Sequence, residues 1–159
     1  MNTNQTKQII RLITIFIFAL AGTVHLYGQP FNQSALMNRK WQNQMKVSEL
    51  TFSRTMSFTN KELINKTVVT GGEEETRIES KLLYYLSDKI VREFQHELVG
   101  KNTSGRYIIR LTISPTTGEE RMMVHEILEL TDTRLVIRHI PIVLTIGGGR
   151  TIEFTAVEP

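Results

Sequence analysis

The clearest feature of this chain is that apolar and polar residues alternate with a period of two over most of its length. The stretch 106–114 places its apolar side chains on one face: Tyr107, Ile109, Leu111 and Ile113. Its other face carries polar side chains: Arg110, Thr112 and Ser114. Because successive side chains of a β-strand point to opposite faces, this pattern predicts a half-buried strand. Similar alternation predicts strands in these segments: 48–58, 64–69, 77–86, 121–131, 134–139 and 151–157.

Short turn sequences separate the predicted strands. They are Gly71-Gly72 with the acidic residues that follow, 115–118, 131–133 and the glycines 147–149. Glycine supplies the positive φ angles that tight hairpin turns need. Connections this short join antiparallel strands, whereas parallel strands need long crossovers. The sequence therefore predicts a single all-β domain, built as an antiparallel barrel or sandwich.

One segment has a different period. In residues 88–98 the apolar side chains recur at helical spacing: Ile90, Val91, Phe94 and Leu98. Asp88 is a suitable N-cap, and Gly100 suits the position after a helix end. The pattern predicts one short helix that covers an edge or a mouth of the sheet.

The beginning of the chain has the composition of an export signal. The first 11 residues are polar and contain Lys7 and Arg11 but no acidic residue. An uncharged apolar run follows, from Leu12 to Val24. A basic start, an apolar middle and a small-residue exit are typical of a secretory signal peptide.

We expect this signal peptide to span residues 1–28 and to leave a mature domain of residues 29–159. Cleavage after Gly28 competes with cleavage after Ala21, and the longer apolar region favours Gly28. The alternative is an uncleaved membrane anchor, because Leu12–Gly28 is near the minimum length that crosses a bilayer, about 17 residues. With cleavage, the expected location is the periplasm or the outside of the cell.

Charge and cysteine content narrow the function classes. The chain has 19 basic and 16 acidic residues. Two of the basic residues and none of the acidic ones lie in the predicted signal peptide, so the net charge of the mature chain is +1. Arginines alternate with glutamates, and we interpret them as a solvated mixed-charge sheet surface: Arg110, Arg121, Arg134, Arg138 and Arg150. Nucleic-acid binding needs a concentrated basic face, so no nucleic-acid partner is expected. Without cysteine the chain has no disulfide, thiolate metal site, cysteine nucleophile or lipid anchor.

The search for catalytic motifs gives no candidate. His125-Glu126 begins like the zinc-protease motif H-E-x-x-H, but position 129 is Glu. Residues four apart on a strand lie too far apart to chelate one metal, so we interpret the pair as a solvated part of a strand. No nucleophile elbow occurs, and the glycines 147–149 do not precede a helix, as a phosphate-binding loop would. The sequence therefore predicts a protein that is not an enzyme and has neither metal nor cofactor.

The large side chains of the predicted strands supply a candidate interior. They are Phe52, Met56, Phe58, Tyr84, Tyr107, Ile109, Leu135, Ile137 and Phe154. A barrel of about eight strands either fills its interior with side chains or holds one small ligand, and both interpretations stay open. Arg54 shares the face of Phe52 and Met56. Either it lies at a barrel mouth and neutralises a carboxylate head group, or it is exposed at a strand end or bulge.

The order of several segments resembles a known family. The segments are MNRKW at 37–41, LTFS at 50–53, YYLSD at 84–88, VGKNTSGRYII at 99–109 and EILELTDTRLVI at 126–137. Together they resemble the small secreted lipocalin-like domains of Gram-negative bacteria, part of the wider calycin group. The resemblance implies an up-and-down antiparallel β-barrel whose closed end is plugged by Trp41. This residue matches the tryptophan of the lipocalin G-x-W motif, and Arg39 stands where that motif has glycine.

The resulting hypothesis is an exported, non-catalytic, lipocalin-like barrel. It binds a small apolar or amphipathic ligand among the interior residues named above, Arg54 included. The alternative is an interaction module with a filled barrel that holds a protein partner at the cell envelope.

Overall fold

The architecture is a closed barrel of eight antiparallel strands. The computed structural model describes residues 30–114, 116–141 and 149–157. The strands of the barrel are β2 (Lys40–Val47), β3 (Leu50–Phe58), β4 (Glu62–Thr70), β5 (Thr76–Ser87), β7 (Tyr107–Ile113), β8 (Glu120–Leu130), β9 (Arg134–Ile140) and β10 (Thr151–Val157). Two short strands pair beside the barrel, β1 (Phe31–Asn32) and β6 (Ser104–Gly105), and α1 spans Ser34–Met37. The predicted all-β antiparallel barrel is confirmed.

Each predicted strand is present, with ends that shift by at most two residues. The strand β2 was not predicted, because KWQNQMKV carries few apolar residues in its alternation. This strand is essential to the closure: β10 pairs with β9 on one side and with β2 on the other. The predicted signal peptide and the turn residues Pro115 and 147–148 lie outside the described part of the chain.

The segment 88–98 does not form the predicted helix. It is irregular apart from a single 3-10 turn at His96–Leu98. Val91, Phe94 and Leu98 pack on an outer cluster of the sheet formed by Tyr85, Ile109 and Val124, whereas Ile90 is exposed. The backbone N–H of Gln95 also donates to the hydroxyl of Tyr85. Because tertiary packing decides the conformation of so short a segment, the helical spacing alone was misleading.

One end of the barrel is closed by α1. Leu36 of this helix is fully buried, and its carbonyl oxygen accepts a hydrogen bond from Trp41 Nε1 at 3.2 Å. Trp41 is itself fully buried and opposes Met56 on β3 and Ala156 on β10. The guanidinium of Arg39 lies 6.0 Å from the centre of the tryptophan ring. Trp41 therefore sits at the end of the barrel that α1 covers.

A buried glutamine ties α1 to three other parts of the chain. Gln33 Nε2 donates to the Tyr84 hydroxyl and to the Asn60 carbonyl, each at 3.0 Å. Its Oε1 accepts from the backbone N–H and the hydroxyl of Thr103. Burial is the main cause that raises the pKa of Tyr84 to about 12. The side-chain amide of Gln33 therefore makes four hydrogen bonds, which hold α1 in place over the closed end of the barrel.

Charges on the outside of the barrel pair with one another. Arg134 contacts Glu129 at 2.5 Å and Glu153 at 2.7 Å, and its hydrogen bond lowers the pKa of Glu153. Glu126, which is buried, forms ion pairs with Arg106 and Arg138. Among the described residues, no helix combines the length and the apolar character needed to cross a membrane.

Candidate functional site

The pairing of the strands decides which side chains face the inside of the barrel. Directly opposed residues of an antiparallel pair share a face. Trp41 opposes Met56, and from this pair the inward face can be followed around the sheet. At the closed end the inward residues form the lower core, which is apolar and buried: Trp41, Met56, Phe58, Leu63, Leu82, Tyr84, Leu86, Ile108, Ile127, Leu135, Ile137 and Phe154.

The middle of the barrel is polar. We call the polar belt the following inward-facing residues: Asn43, Arg54, Asn65, Thr67, Ser80, Arg110, Thr112, His125 and His139. Their registers connect them around the sheet, since Arg54 opposes both Asn43 and Thr67. On the far side His125 opposes His139, with 5.1 Å between their ring centres. A polar ring in the interior of a small barrel is unusual and requires partners for its polar atoms.

Arg110 and His125 form the best-defined contact in the polar belt. Arg110 Nη2 lies 3.3 Å from His125 Nε2 and 3.6 Å from Met123 Sδ. Arginine has no acceptor atom, so His125 Nε2 must accept and the ring proton resides on Nδ1. Burial, the charge of Arg110 and other nearby basic groups lower the pKa of His125 to about 3. The imidazole is therefore neutral at neutral pH.

Several buried atoms of the polar belt have no hydrogen-bond partner among the described residues. They are Arg110 Nε, His125 Nδ1, Thr112 Oγ1 and Asn65 Oδ1. Two of these, Arg110 Nε and His125 Nδ1, carry N–H donors. Leaving a buried donor unpaired costs about 1–3 kcal/mol, and more for a charged group. The belt thus contains two buried N–H donors that no described residue accepts from.

The charge of the polar belt is uncompensated within the described strands. None of their inward-facing residues is Asp or Glu. Arg54 and Arg110 make no salt bridge with any described residue. Burial and the charge of Arg54 lower the pKa of Arg110 to about 10, so it stays protonated at neutral pH. The middle of the barrel is a region of positive potential.

Above the polar belt the barrel is apolar but accessible. We call the upper lumen the following inward-facing residues: Met45, Phe52, Val69 and Ile78. None is buried, and Ile78 is 56% exposed. The barrel wall is also shorter on one side, because β5 pairs with β7 only from Leu83 to Ser87. Solvent therefore reaches the upper lumen and the side chain of Arg54. The unpaired atoms of Arg110 and His125 are buried beneath them, and the lower core is filled.

The structure places most of the predicted interior residues inside the barrel. Met56, Phe58, Tyr84, Leu135, Ile137 and Phe154 belong to the lower core, and Phe52 lines the upper lumen. Arg54 also points inward, on an uninterrupted strand, so neither the barrel mouth nor a strand end or bulge describes its position. It remains solvent-exposed within the lumen, in the middle of the wall and not at the rim.

Two predicted interior residues lie on the other side of the sheet. Tyr107 and Ile109 pack on the outer face, under the segment 88–99. In β7 the inward residues are Ile108, Arg110 and Thr112. The sequence analysis therefore assigned the two faces of this strand the wrong way round. The cause is the outer cluster, which makes the outside of β7 more apolar than its inside.

Three residues that we interpreted as solvated are partly or fully enclosed. Arg110 is a member of the polar belt and not of a mixed-charge surface. His125 is 5% exposed and faces inward, and Glu126 is 6% exposed and faces outward between two arginines. The sequence signal for the belt existed: basic residues at inward parity on successive strands. The sequence analysis recognised this signal only for Arg54, because it took the outer face of β7 for the inner one.

No group of described residues is arranged to hold a metal ion. The two histidines of the belt lie beside two arginines, whose charge repels a cation. Comparison of the chain with models of protein families, with curated proteins and with solved structures finds no match. The arguments on function therefore depend on the geometry of the barrel itself.

Proposed function

We propose that this chain is an exported, non-catalytic, lipocalin-like protein that binds a small amphipathic molecule inside its barrel. The observation that supports this most directly is the division of the interior into a filled lower half and an accessible upper half. The lower core supplies a packed base, and the upper lumen offers apolar walls at solvent-exposed positions. Mostly apolar concave sites with a few placed polar groups are typical of small-molecule binding.

The polar belt supports the amphipathic character of the ligand. Buried polar groups without partners reduce stability, so a chain that served only to pack its core would gain by replacing them with apolar residues. Arg110, Thr112 and His125 instead face inward and keep buried polar atoms that have no partner among the described residues. A molecule with an apolar part for the upper lumen and a polar part for the belt fits both.

Native mass spectrometry tests this proposal directly. The full chain is expressed in a host that exports it and is purified without detergent. We expect a mass that corresponds to a chain beginning at Gln29, with an adduct of lipid-like mass on part of the population. The protein mass reports the proposed cleavage after Gly28, and the adduct reports the proposed ligand.

Two variants on one strand locate the adduct. Thr67 faces the lumen on β4, whereas its neighbour Lys66 faces outward and is exposed. Thr67→Trp fills the lumen and is expected to abolish the adduct, while Lys66→Trp is expected to retain it. Circular dichroism confirms that both variants are folded. An adduct that persists in Thr67→Trp contradicts binding in the lumen.

Protein that carries no adduct is then titrated with decanol, a neutral amphiphile. If the folded protein binds neither decanol nor its carboxylate counterpart decanoate, the proposed ligand function is wrong and the alternative gains support. That alternative is an interaction module whose filled barrel presents an outer surface to a partner in the cell envelope.

A further inference from the structure

We infer that the barrel binds a single-chain anionic amphiphile, and that its carboxylate enters first and is held by Arg110, His125 and Arg54 in the middle of the lumen. This inference rests on the proposed function and adds to it the charge of the ligand, its orientation and the residues that recognise it.

The charge of the ligand follows from the chemistry of the unpaired groups. Arg110 Nε and His125 Nδ1 are buried N–H donors that have no partner in the part of the chain that the structure describes. The contact between Arg110 Nη2 and His125 Nε2 fixes the proton of the neutral imidazole on Nδ1. Two buried N–H groups in one region of a barrel match the two oxygens of a carboxylate. A neutral alcohol offers one oxygen and no charge, and leaves the arginines uncompensated.

The surroundings exclude a cationic head group. Arg54 is close enough to Arg110 and His125 for its charge to affect both. His139 approaches His125 from β9, and none of the inward residues in the described strands is acidic. An ammonium group in the polar belt would therefore meet only positive or neutral neighbours. An anion there relieves the repulsion between the two arginines.

The orientation follows from the order of the levels in the barrel. The lower core is filled and buried, so no part of a ligand extends below the polar belt. The accessible apolar residues lie above the belt, among them Met45, Phe52 and Val69. A carboxylate on the belt therefore has its alkyl chain directed toward the open end. This is the opposite of an arrangement with the carboxylate at the mouth and the chain in the interior.

A matched pair of ligands tests the head group. Isothermal titration calorimetry of the purified full-length product compares decanoate with decanol, which have the same chain length. We expect decanoate to bind at least about tenfold more tightly. The reason is that a pair of charge-assisted hydrogen bonds contributes more free energy than a tenfold change in Kd requires. Arg110→Met is expected to reduce the ratio to about twofold or less while decanol binding is retained.

The control variant removes the same charge elsewhere. Arg77 lies on β5, faces outward and pairs with the exposed Glu75, so Arg77→Met changes the net charge equally without touching the lumen. It is expected to keep the wild-type ratio. If Arg77→Met loses the preference as Arg110→Met does, the effect is one of overall charge and the assigned residues are wrong.

A second measurement needs no variant of the belt. Decanoate labelled at its carboxyl carbon is titrated by NMR while bound to the wild-type protein. A carboxylate held by Arg110 and Arg54 is expected to remain ionised to lower pH than free decanoate, because nearby positive charge favours the ionised form. A bound carboxyl group that protonates at or above the pH of the free acid overturns the inference.

The outcomes separate the two proposals. If decanol and decanoate bind equally tightly and Thr67→Trp abolishes both, the lumen binds amphiphiles and the anionic head group is wrong. If the folded wild-type protein binds neither, the proposed function itself is wrong.

Discussion

His125 and His139 lie side by side inside the barrel, with 5.1 Å between their ring centres, on neighbouring strands whose register places them directly opposite each other. The guanidinium groups of Arg110 and Arg54 face the same space. Four basic side chains therefore share the interior of a small barrel in which the described strands direct no carboxylate inward. This arrangement has consequences for stability as well as for binding.

The first prediction concerns acid. The pKa of His125 is lowered in the folded state, so the unfolded chain takes up its proton first as the pH falls below about 6.5. Proton uptake by the unfolded state reduces the free energy of unfolding, and this group alone is expected to remove about 2 kcal/mol between pH 7 and pH 5. His125→Gln cannot titrate, so its loss over the same interval should be smaller by that amount. Urea denaturation at the two pH values measures the difference, and equal losses would contradict it.

The second prediction concerns the orientation of the ligand. Trp41, the only tryptophan, lies in the lower core directly beneath the polar belt. Bromine quenches tryptophan fluorescence only at short range. Decanoate brominated beside its carboxylate is therefore expected to quench Trp41 more strongly than decanoate brominated at the tail end, at equal occupancy. The reverse order of quenching would show that the tail points into the barrel. Thr67→Trp is not a suitable control for this measurement, because it adds a second tryptophan.

The third prediction concerns the closed end. Gln33→Ala removes a buried amide that serves Tyr84, Asn60 and Thr103, and leaves their groups without these partners. We expect the free energy of unfolding to fall by about 2–4 kcal/mol. Gln44→Ala removes the same side chain from an exposed site on β2, where it bonds only Ser53, and is expected to change stability by less than about 0.5 kcal/mol. Urea denaturation compares the two, and similar losses would show that the buried network is not what stabilises this end.

The fourth prediction concerns two glycines. A Cβ on Gly105 would lie 2.1 Å from the carbonyl carbon of Ser87 and 2.3 Å from its oxygen, both of them backbone atoms. Gly105→Ala is therefore expected to cost about 3 kcal/mol or more, because β6 must move away from β5. At Gly72 the nearest atom is the Cδ2 of Leu50 at 3.7 Å, an ordinary contact, so Gly72→Ala should change stability by less than about 1 kcal/mol. Thermal unfolding ranks them, and a Gly105→Ala protein as stable as Gly72→Ala would contradict the close approach.

Some parts of the site were within reach of sequence analysis and some were not. Arg54 was recognised because β3 alternates cleanly, so its parity with Phe52 and Met56 is evident from the order of residues alone. Arg110 was missed because both faces of β7 are apolar over part of their length: Ile108 faces the lower core, and Ile109 faces the outer cluster. Periodicity cannot tell which of two apolar faces is the inner one. The segment 88–99, which connects β5 toward β7, folds back over the outside of the sheet, and only the fold reveals this contact.

Tertiary contacts that a local pattern does not show also explain the two errors in predicted secondary structure, the missed strand β2 and the helix predicted at 88–98. β2 has few apolar residues at its inward positions because Asn43 belongs to the polar belt, so a polar residue in the interior concealed the strand. The segment 88–98 has helical spacing, but Val91, Phe94 and Leu98 pack on the outer face of the sheet. Contact with that face holds the segment in an irregular conformation.

The sequence by itself determined the all-β class, seven of the eight barrel strands and the turns that follow β4 and β8, because alternation and turn residues are local properties of a chain. The tertiary structure decided the closure through β2, the inner face of β7 and the meeting of Arg54, Arg110 and His125 from three strands. These depend on contacts between residues far apart in the chain, whose strengths no local pattern encodes. The positive belt in the middle of the barrel, from which the proposed ligand is inferred, is such a product of strand register.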